Sequence, residues 1–267
     1  PLILLNARIT KKTFERWIKL KRFSLKVFNQ INIAYPQNKE TIRYLKKLGV
    51  KNINYIGNLK FFEDEKSVNK KFDNEIKNKF KKYKICIAAS THADEEVFAA
   101  RTHILLKKKY SNLITIIIPR HVHRVDEINH ELRKLDLKTS YHSAKLKDLK
   151  DIDIYIVDTF GESKRFYKIA ATVFLGGSLT NKGGQNPIEP ARYGAKILHG
   201  PNIKNFKEVY VFLKSLSISK EIRSPIQLAK EVTFKKKMDK VKKIQKLGEV
   251  IFKNTLNKLN KSINYEN

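Results

Sequence analysis

The fold is decided by residues 172–191, which read TVFLGGSLTNKGGQNPIEPA. The first four residues form a short apolar run, typical of a strand buried on both faces. A loop with four glycines in residues 176–184 follows, and glycine is favoured where the backbone needs positive φ or a ligand approaches closely. Asn186 and Pro187 predict the start of a helix, with Asn as the N-cap and Pro at the first helical position. This order is typical of a parallel α/β sheet that binds an anion at its edge.

Outward from this stretch, short apolar runs alternate with amphipathic segments, which predicts strands joined by helices and therefore the α/β class. Helices are predicted over 13–28, over 38–48 with Gly49 as the C-terminal cap, and over 94–109 with Thr91 as a candidate N-cap. Residues 94–96 are acidic and would lie in the first turn of the third helix, where the helix dipole favours negative charge. Strands are predicted at residues 2–5, 31–34, 53–56, 85–89, 113–118, 154–157, 172–175 and 197–198.

The strand pattern lapses in the charged stretch between residues 57 and 82, which predicts a domain boundary. Residues 1–56 supply about three strands, too few for a stable independent domain, so we interpret them as the trailing part of an N-terminal domain. Residues 57–233 are predicted to form a complete doubly wound domain, and 234–267 a Lys-rich helix and tail. Because the chain begins at Pro1 within an apolar strand pattern, we expect it to be an incomplete piece.

The composition excludes several classes of protein. With 41% hydrophobic residues the chain is too apolar to be disordered. A single cysteine excludes an internal disulfide framework and a zinc site built from cysteines. No apolar run approaches the roughly 20 residues that span a bilayer.

The charge is strongly positive, since 56 Lys and Arg face 26 Asp and Glu for a net charge of +30. Such a charge predicts an acidic partner, which could be nucleic acid, an anionic membrane or a phosphorylated substrate. Most of these cations are Lys, whereas base recognition relies on the planar fork of Arg. We therefore interpret the charge mainly as general basicity without a specific nucleic-acid site.

Four loops at predicted strand ends carry candidate binding residues, because ligands of open α/β sheets bind there. In the glycine-rich loop, the N–H groups are predicted to face a phosphate or a sugar carboxylate, and the Glu189 carboxylate to accept two ribose hydroxyls. Arg120 leaves a second strand, where its guanidinium can bind a phosphate. Gly161 and Glu162 follow a third strand. The fourth strand end supplies Ser90, Thr91 and His92.

Ordinary capping and turn chemistry is the alternative for each loop taken alone. Four such loops in one domain favour a shared site. His121 and His123 also suggest a metal site, but neither a cysteine nor a pair of carboxylates completes it, so no metal is predicted.

Several strings resemble the signature of a known family, the 3-deoxy-D-manno-octulosonic acid (Kdo) transferases of lipid A biosynthesis. The most specific runs from Gly176 to Ala191 and is followed by Gly200-Pro201 and Asn205-Phe206. Further matches occur in the same order along almost the whole chain, at residues 6–8, 57–61, 89–92, 119–121 and 158–162.

This resemblance implies an inverting glycosyltransferase of the two-domain GT-B type, independent of metals and of other cofactors. It implies CMP-Kdo as donor, the lipid A precursor lipid IVA as acceptor, and a role in lipopolysaccharide biosynthesis. It also implies a peripheral place at the anionic cytoplasmic face of the bacterial inner membrane, with which the positive charge agrees.

The residues that the resemblance assigns to the CMP site fall in three of the four loops. Two of the matching positions depart mildly from the family pattern, since Ser163 replaces an aliphatic residue and Gln185 stands where His is common. The implied CMP contacts are Pro119, Arg120, Gly161, Glu162, Ser163, Asn186, Pro187, Ile188 and Glu189. Support for the donor site is expected from Ser90, Thr91, His92, Gly176, Gly177 and Ser178.

The general base of the family is a glutamate early in the N-terminal domain, and no residue of this chain matches it. We therefore expect the chain alone to bind the donor without transferring the sugar. Two alternatives remain open. One is a basic nucleic-acid-binding module, which would need Arg and aromatic side chains on one exposed face. The other is a GT-B enzyme or epimerase that uses a different nucleotide sugar.

Overall fold

The computed structural model describes residues 1–62, 70–144 and 148–264, without the side chains of 70–73 and 263–264. The chain divides into two compact units, one formed by Pro1–Glu65 with Lys243–Asn267 and the other by Lys66–Lys242. The boundaries expected from the sequence, at 56/57 and 233/234, lie near these divisions, but the predicted tail is shared between the units. The donor and acceptor roles given to the pieces remain predictions.

The first unit is built around a pair of parallel strands. Its elements in chain order are β1 (Ile3–Ala7), α1 (Lys11–Lys19), α2 (Lys21–Phe28), β2 (Ile33–Pro36) and α3 (Lys39–Lys47). Phe28, Ala34 and Leu45 form part of its buried core. Asn6, at φ 48°, accepts a hydrogen bond at Oδ1 from the Leu59 N–H (3.2 Å). Two of the segments that carry the family resemblance are therefore in direct contact.

The second unit contains a seven-stranded sheet in which every pairing is parallel. The strands are β3 (Lys84–Thr91), β4 (Leu113–Pro119), β5 (Thr139–Tyr141), β6 (Ile154–Ile156), β7 (Thr172–Leu175), β8 (Lys196–His199) and β9 (Ser219–Glu221). Their order across the sheet is β5-β6-β4-β3-β7-β8-β9. The chain moves outward from β3 in one direction and later from β7 in the other. A doubly wound sheet opens a crevice at such a point, outside the carboxyl ends of its strands.

Helices accompany these strands in the second unit. They are α4 (Lys70–Phe80), α5 (Glu95–Lys107), α6 (Val125–Arg133), α7 (Ser163–Tyr167), α8 (Ile188–Arg192), α9 (Lys207–Ser215) and α10 (Pro225–Glu231). The last helix, α11 (Met238–Asn264), begins in the second unit and continues into the segment that belongs to the first. Ile117, Phe174 and Leu198 lie in the main core. Among the described residues, no helix combines the length and apolar character needed to cross a bilayer.

The predicted α/β class and the strand at 172–175 are confirmed, but three local predictions are wrong. Residues 53–56 make only an isolated bridge, from Ile53 to Ala34, because β2 ends at Pro36, which has no N–H to extend the ladder. The helix predicted over 13–28 is two helices that meet at Leu20, where φ −105° and ψ 47° interrupt the helical conformation. Thr91 lies within β3, and the N-cap of α5 is Asp94 instead.

A buried histidine on α5 makes the folding stability of the protein depend on pH. His103 is 1% exposed, and its ring nitrogens lie 3.0 Å from Thr115 Oγ1 and 3.4 Å from Asp153 Oδ1. Burial lowers the pKa of His103 to about 4, although the Asp153 carboxylate acts in the opposite direction. The folded protein therefore holds this histidine neutral at pH 7.

Lowering the pH from 7 to 5 should cost about 2 kcal/mol of unfolding free energy through His103. An unfolded histidine takes up a proton near pH 6.5, whereas His103 resists it until about pH 4. The stabilisation is thus complete above the unfolded pKa and is lost as the pH falls between these values. Urea unfolding at both pH values measures this loss, and His103→Gln should show a smaller one. Equal losses in the two proteins would contradict the assignment.

Candidate functional site

Four loops meet at the carboxyl edge of the second unit's sheet, where the sequence places the candidate residues. Because β3 lies between β4 and β7, the loops 90–92, 119–124 and 176–187 are neighbours. The loop after β6, at 158–162, lies next to the one after β4. The predicted residues are therefore brought to one edge of one sheet.

The glycine-rich loop after β7 is held by a buried carboxylate, that of Glu95 in the first turn of α5. Glu95 is 1% exposed. Its Oε2 accepts the N–H groups of His92 (3.0 Å) and Gly177 (2.6 Å). Its Oε1 accepts those of Ser178 (3.1 Å) and Leu179 (2.9 Å). One side chain therefore ties the loop after β3 to the loop after β7.

For residues 176–178, this arrangement corrects the expectation that the glycine-loop N–H groups face a phosphate or a sugar carboxylate. The Gly177 and Ser178 N–H groups point to Glu95, and the Gly176 N–H donates to the Ala89 carbonyl (2.9 Å). A Cβ on Gly176 would lie 2.5 Å from the Ser90 carbonyl oxygen and 2.7 Å from Glu95 Oε2. Glycine is required at 176 because the backbone and this carboxylate approach so closely, which the sequence pattern cannot distinguish from approach by a ligand.

A second loop, residues 200–206, supports the glycine-rich loop from the other side. The Gly200 N–H donates to Ser178 Oγ (2.8 Å), and the Asn202 N–H to the Ser178 carbonyl (2.9 Å). The Asn205 N–H donates to the Gly183 carbonyl (3.0 Å). The motif residues at Gly200 and Asn205 therefore shape the loop at this edge of the sheet.

A group of cationic side chains surrounds His92 at this edge. Burial, followed by the positive charges of His121, Lys182, Arg120 and Arg124, lowers the pKa of His92. The rings of His92 and His121 lie 5.5 Å apart between centroids. His92 Nε2 is buried and makes no hydrogen bond to any residue that the structure describes. Cations from two loops, 119–124 and 176–187, thus converge near an unsatisfied imidazole nitrogen in a third, an arrangement that favours an anion.

The two arginines of this group differ in what they bind. Arg124 pairs with Glu96 (3.1 Å) and Glu127 (3.0 Å), so its charge is largely neutralised within the protein. Arg120 is exposed, and its guanidinium makes no hydrogen bond or ion pair with the described part of the chain. Its backbone N–H donates to the Thr91 carbonyl (3.0 Å), which fixes the base of the side chain. Arg120 is the arginine free to bind an anion.

The loop after β6 contributes mainly structural contacts. Asp158 accepts the Ser143 N–H (2.9 Å), which is ordinary loop chemistry. Glu162 pairs with Arg165 (2.6 Å) at the start of α7. Gly161 adopts φ 83°, and no atom lies within 4 Å of where its Cβ would be. This loop therefore leaves open space beside Gly161, bordered by Phe160, which is 80% exposed.

The last predicted residues lie where the glycine-rich loop meets α8. Helix α8 begins at Ile188, with Pro187 as the N-cap, so the predicted start was one residue too early. Asn186, one residue before the N-cap, accepts at Oδ1 the first N–H of the helix, that of Ile188 (3.2 Å). The Glu189 carboxylate is half-buried and makes no hydrogen bond or ion pair within the described residues. Its charge, after burial, contributes to the raised pKa of Tyr167.

Sequence reasoning missed two residues of this region, Glu95 and Lys182. Glu95 stands in the first turn of a helix, where an acidic residue is favoured by the dipole alone, so its position carried no further signal. Lys182 could not be distinguished in the sequence from the many other lysines of the chain. No group of three or more metal-ligating side chains is placed to hold an ion within the part of the chain that the structure describes.

Comparison with solved structures places this fold among the glycosyltransferases of GT-B type. A glycosyltransferase from Rickettsia africae superposes with a TM-score of 0.50 at 13% identity, over 95% of this chain and 72% of that one. The C-terminal CMP-Kdo binding domain of WaaA from Acinetobacter baumannii superposes with a TM-score of 0.57 at 22% identity, over 68% of this chain and 95% of that domain. At these identities the likeness establishes the fold alone.

Sequence comparison identifies the family. Residues 1–63 match the family model described as 3-deoxy-D-manno-octulosonic-acid transferase (kdotransferase). The 3-deoxy-D-manno-octulosonic acid transferase of Rickettsia bellii is 31% identical over 208 residues, which are 78% of this chain and 50% of that protein. The chain belongs by sequence to the Kdo transferase family. It spans about half the length of the curated relatives it matches.

Proposed function

We propose that this chain binds CMP-Kdo and serves a Kdo transferase as its donor-binding part. The observation that carries the proposal is the group of cations from two loops around His92, with Arg120 unpaired by the described residues, at the switch point of the sheet. A nucleoside monophosphate ester and the Kdo carboxylate are both anionic, and such a group favours both. Family membership supports the choice of this donor over other phosphorylated ligands.

The proposed contacts divide by chemistry. Arg120 and Lys182 face the phosphate, and Glu189 accepts ribose hydroxyls through its unpaired carboxylate. Gly161 leaves room for close approach of the nucleotide, since nothing lies where its Cβ would be. The remaining proposed lining residues are Pro119, Glu162, Ser163, Asn186, Pro187 and Ile188, supported by Ser90, Thr91, His92, Gly176, Gly177 and Ser178.

In the proposed transfer, CMP is the leaving group and its phosphate gains negative charge as the bond to the sugar breaks. Fixed cations stabilise that charge in the transition state more than in the ground state, and so lower the barrier. This chain's proposed part in an inverting transfer is therefore to assist departure of CMP without a metal ion.

The proposed acceptor is a lipid A precursor, lipid IVA, in lipopolysaccharide biosynthesis. The proposed location is the cytoplasmic face of the bacterial inner membrane. A net charge of +30 supports binding to an anionic lipid surface, where each basic residue near the surface adds about 1 kcal/mol. Co-sedimentation with anionic and neutral vesicles tests this part of the proposal separately from donor binding.

Titration calorimetry of the chain with four nucleotides tests the donor. CMP should bind at least about tenfold more tightly than UMP, UDP or ADP, a difference of about 1.4 kcal/mol. A preference for UDP or UMP would assign the site to another nucleotide sugar. Absence of binding by any of the four would contradict a nucleotide site at this edge.

Replacing Glu189 by glutamine should weaken CMP binding by about tenfold, because a hydrogen bond to a charged group is worth about 1.5 kcal/mol or more. The glutamine keeps the shape of the side chain but lacks the charge that attracts the ribose hydroxyls. Binding of 2′-deoxy-CMP should change much less, since it offers one hydroxyl fewer. An equal loss for both nucleotides would place Glu189 away from the 2′-hydroxyl.

A further inference from the structure

We propose that Glu95 is a positioning residue for the donor phosphate, acting through the two loops that its carboxylate ties together. The proposal rests on the proposed function, because it assigns the phosphate of CMP to this site. Nothing in the sequence distinguishes Glu95 from an ordinary first-turn acid of a helix. The case for it comes from the atoms that its carboxylate contacts.

The contacts of Glu95 suit a carboxylate, which can accept four hydrogen bonds, and would not suit the amide of a glutamine. Each carboxylate oxygen accepts two backbone N–H groups, from His92 and Gly177 at Oε2 and from Ser178 and Leu179 at Oε1. An ionised carboxylate has no donor and about four lone-pair sites, so all four bonds are satisfied. A glutamine would present an NH2 group to two of these N–H donors.

The tied segments carry groups of the anion site. His92 lies in one of them, and its Nε2 is buried without a partner in the described structure. A Cβ on Gly177, in the other segment, would lie 3.4 Å from that nitrogen. Lys182 belongs to the same glycine-rich loop, and its charge acts on His92. Fixing the backbone at 92 and 177–179 therefore sets where these groups can meet a phosphate.

Glu95 also determines which groups are left to bind the anion. The N–H groups of residues 177–179 are used by its carboxylate. The phosphate is therefore held by side chains, those of Arg120 and Lys182. Lys182 lies in a loop that Glu95 ties, and the Arg120 N–H donates to the Thr91 carbonyl (3.0 Å), next to the tied residue His92. Precise placement of charged groups is what makes such a site effective, and small displacements weaken it strongly.

The matched control is Asp153, at the opposite edge of the same sheet. It precedes β6, accepts the Lys138 N–H (3.1 Å) and pairs with Lys107 (3.1 Å). Like Glu95, it is a carboxylate that holds a backbone segment. Asp153→Asn should therefore lower thermal stability while leaving CMP affinity within about twofold of the wild type, because distant sites act independently.

The experiment compares CMP with cytidine, which differs from CMP only by the phosphate. In Glu95→Gln, CMP affinity should fall by about tenfold, the effect of one lost charge-assisted contact, while cytidine affinity stays nearly unchanged. A folded Glu95→Gln with wild-type CMP affinity, or an equal loss for both ligands, would overturn the proposal. If Glu95→Gln does not fold, Glu95→Asp keeps the charge but displaces the loops. The same loss of preference for CMP is then expected, and an unchanged preference overturns the proposal.

Amide hydrogen exchange measures the link between the loops without any ligand. The amides of residues 92 and 177–179 should exchange slowly in the wild type and faster in the Glu95 variants. Fast exchange of all four in the wild type would overturn the proposal even if CMP binds. If the wild type shows slow exchange but no CMP binding, the proposed function fails while the link itself stands.

Discussion

Replacing Arg120 by alanine should weaken CMP binding by about 100-fold. Arg120 is the exposed arginine of the cationic group, and its guanidinium is not engaged by the described residues. A bidentate contact with a phosphate contributes about 3 kcal/mol, which corresponds to this factor. The backbone N–H of residue 120 still donates to the Thr91 carbonyl in the variant, so the loop should keep its place. Titration calorimetry gives the affinity, and thermal unfolding confirms that the variant is folded.

Arg101→Ala is the matched control for this variant. Arg101 is an exposed arginine on α5 in the same unit, and replacing it by alanine removes the same charge from the protein. Its loss should change CMP affinity by less than about twofold, because Arg101 is not among the charges that act on His92 and exposed charges are screened by salt. Equal effects of the two substitutions would mean that general basicity attracts the nucleotide and that the cationic group is not a site.

The largest stability effect is expected for Phe174→Ala, at about 3–5 kcal/mol of unfolding free energy. Phe174 is fully buried on β7, the strand that leads into the glycine-rich loop. Its ring stacks on that of Phe98 with 5.6 Å between centroids. Removing it leaves a cavity between the sheet and α5 that the surrounding residues cannot fill. Denaturant unfolding followed by circular dichroism measures the loss.

Phe160→Ala serves as the control for that substitution, since it deletes the same group from the surface. Phe160 is 80% exposed, so its removal should change the unfolding free energy by less than about 0.5 kcal/mol. If both variants lost similar stability, β7 would not be a central strand of the core, and the sheet order described above would be wrong.

The parts of the fold that the sequence predicts are those with strong apolar patterns. β3, β4 and β7 are buried runs, and the chain alone indicates them. β5 (Thr139–Tyr141) and β9 (Ser219–Glu221) were not predicted, because they are short, polar strands at the two edges of the sheet. Their strand conformation comes from pairing with a neighbour, a tertiary effect that local composition does not carry.

Some residues of the candidate site could likewise be predicted from the sequence, and others could not. Arg120, Glu189 and the glycine-rich loop could be located from the sequence because they follow strongly patterned strands or form a long motif. The role of the glycines could not be predicted from the sequence, since close approach of a ligand and close approach of Glu95 require the same residue type. Pairing of Glu162 with Arg165 and of Arg124 with Glu96 likewise appears only once the chain is folded.

A crystal structure of the chain with CMP would show directly where the nucleotide binds. We expect CMP at the carboxyl edge of the seven-stranded sheet, with the phosphate within about 3 Å of the Arg120 guanidinium. A ribose hydroxyl should donate to Glu189, while the N–H groups of residues 177–179 still donate to the Glu95 carboxylate. CMP bound elsewhere, or a phosphate held by those N–H groups with Glu95 displaced, would contradict these expectations.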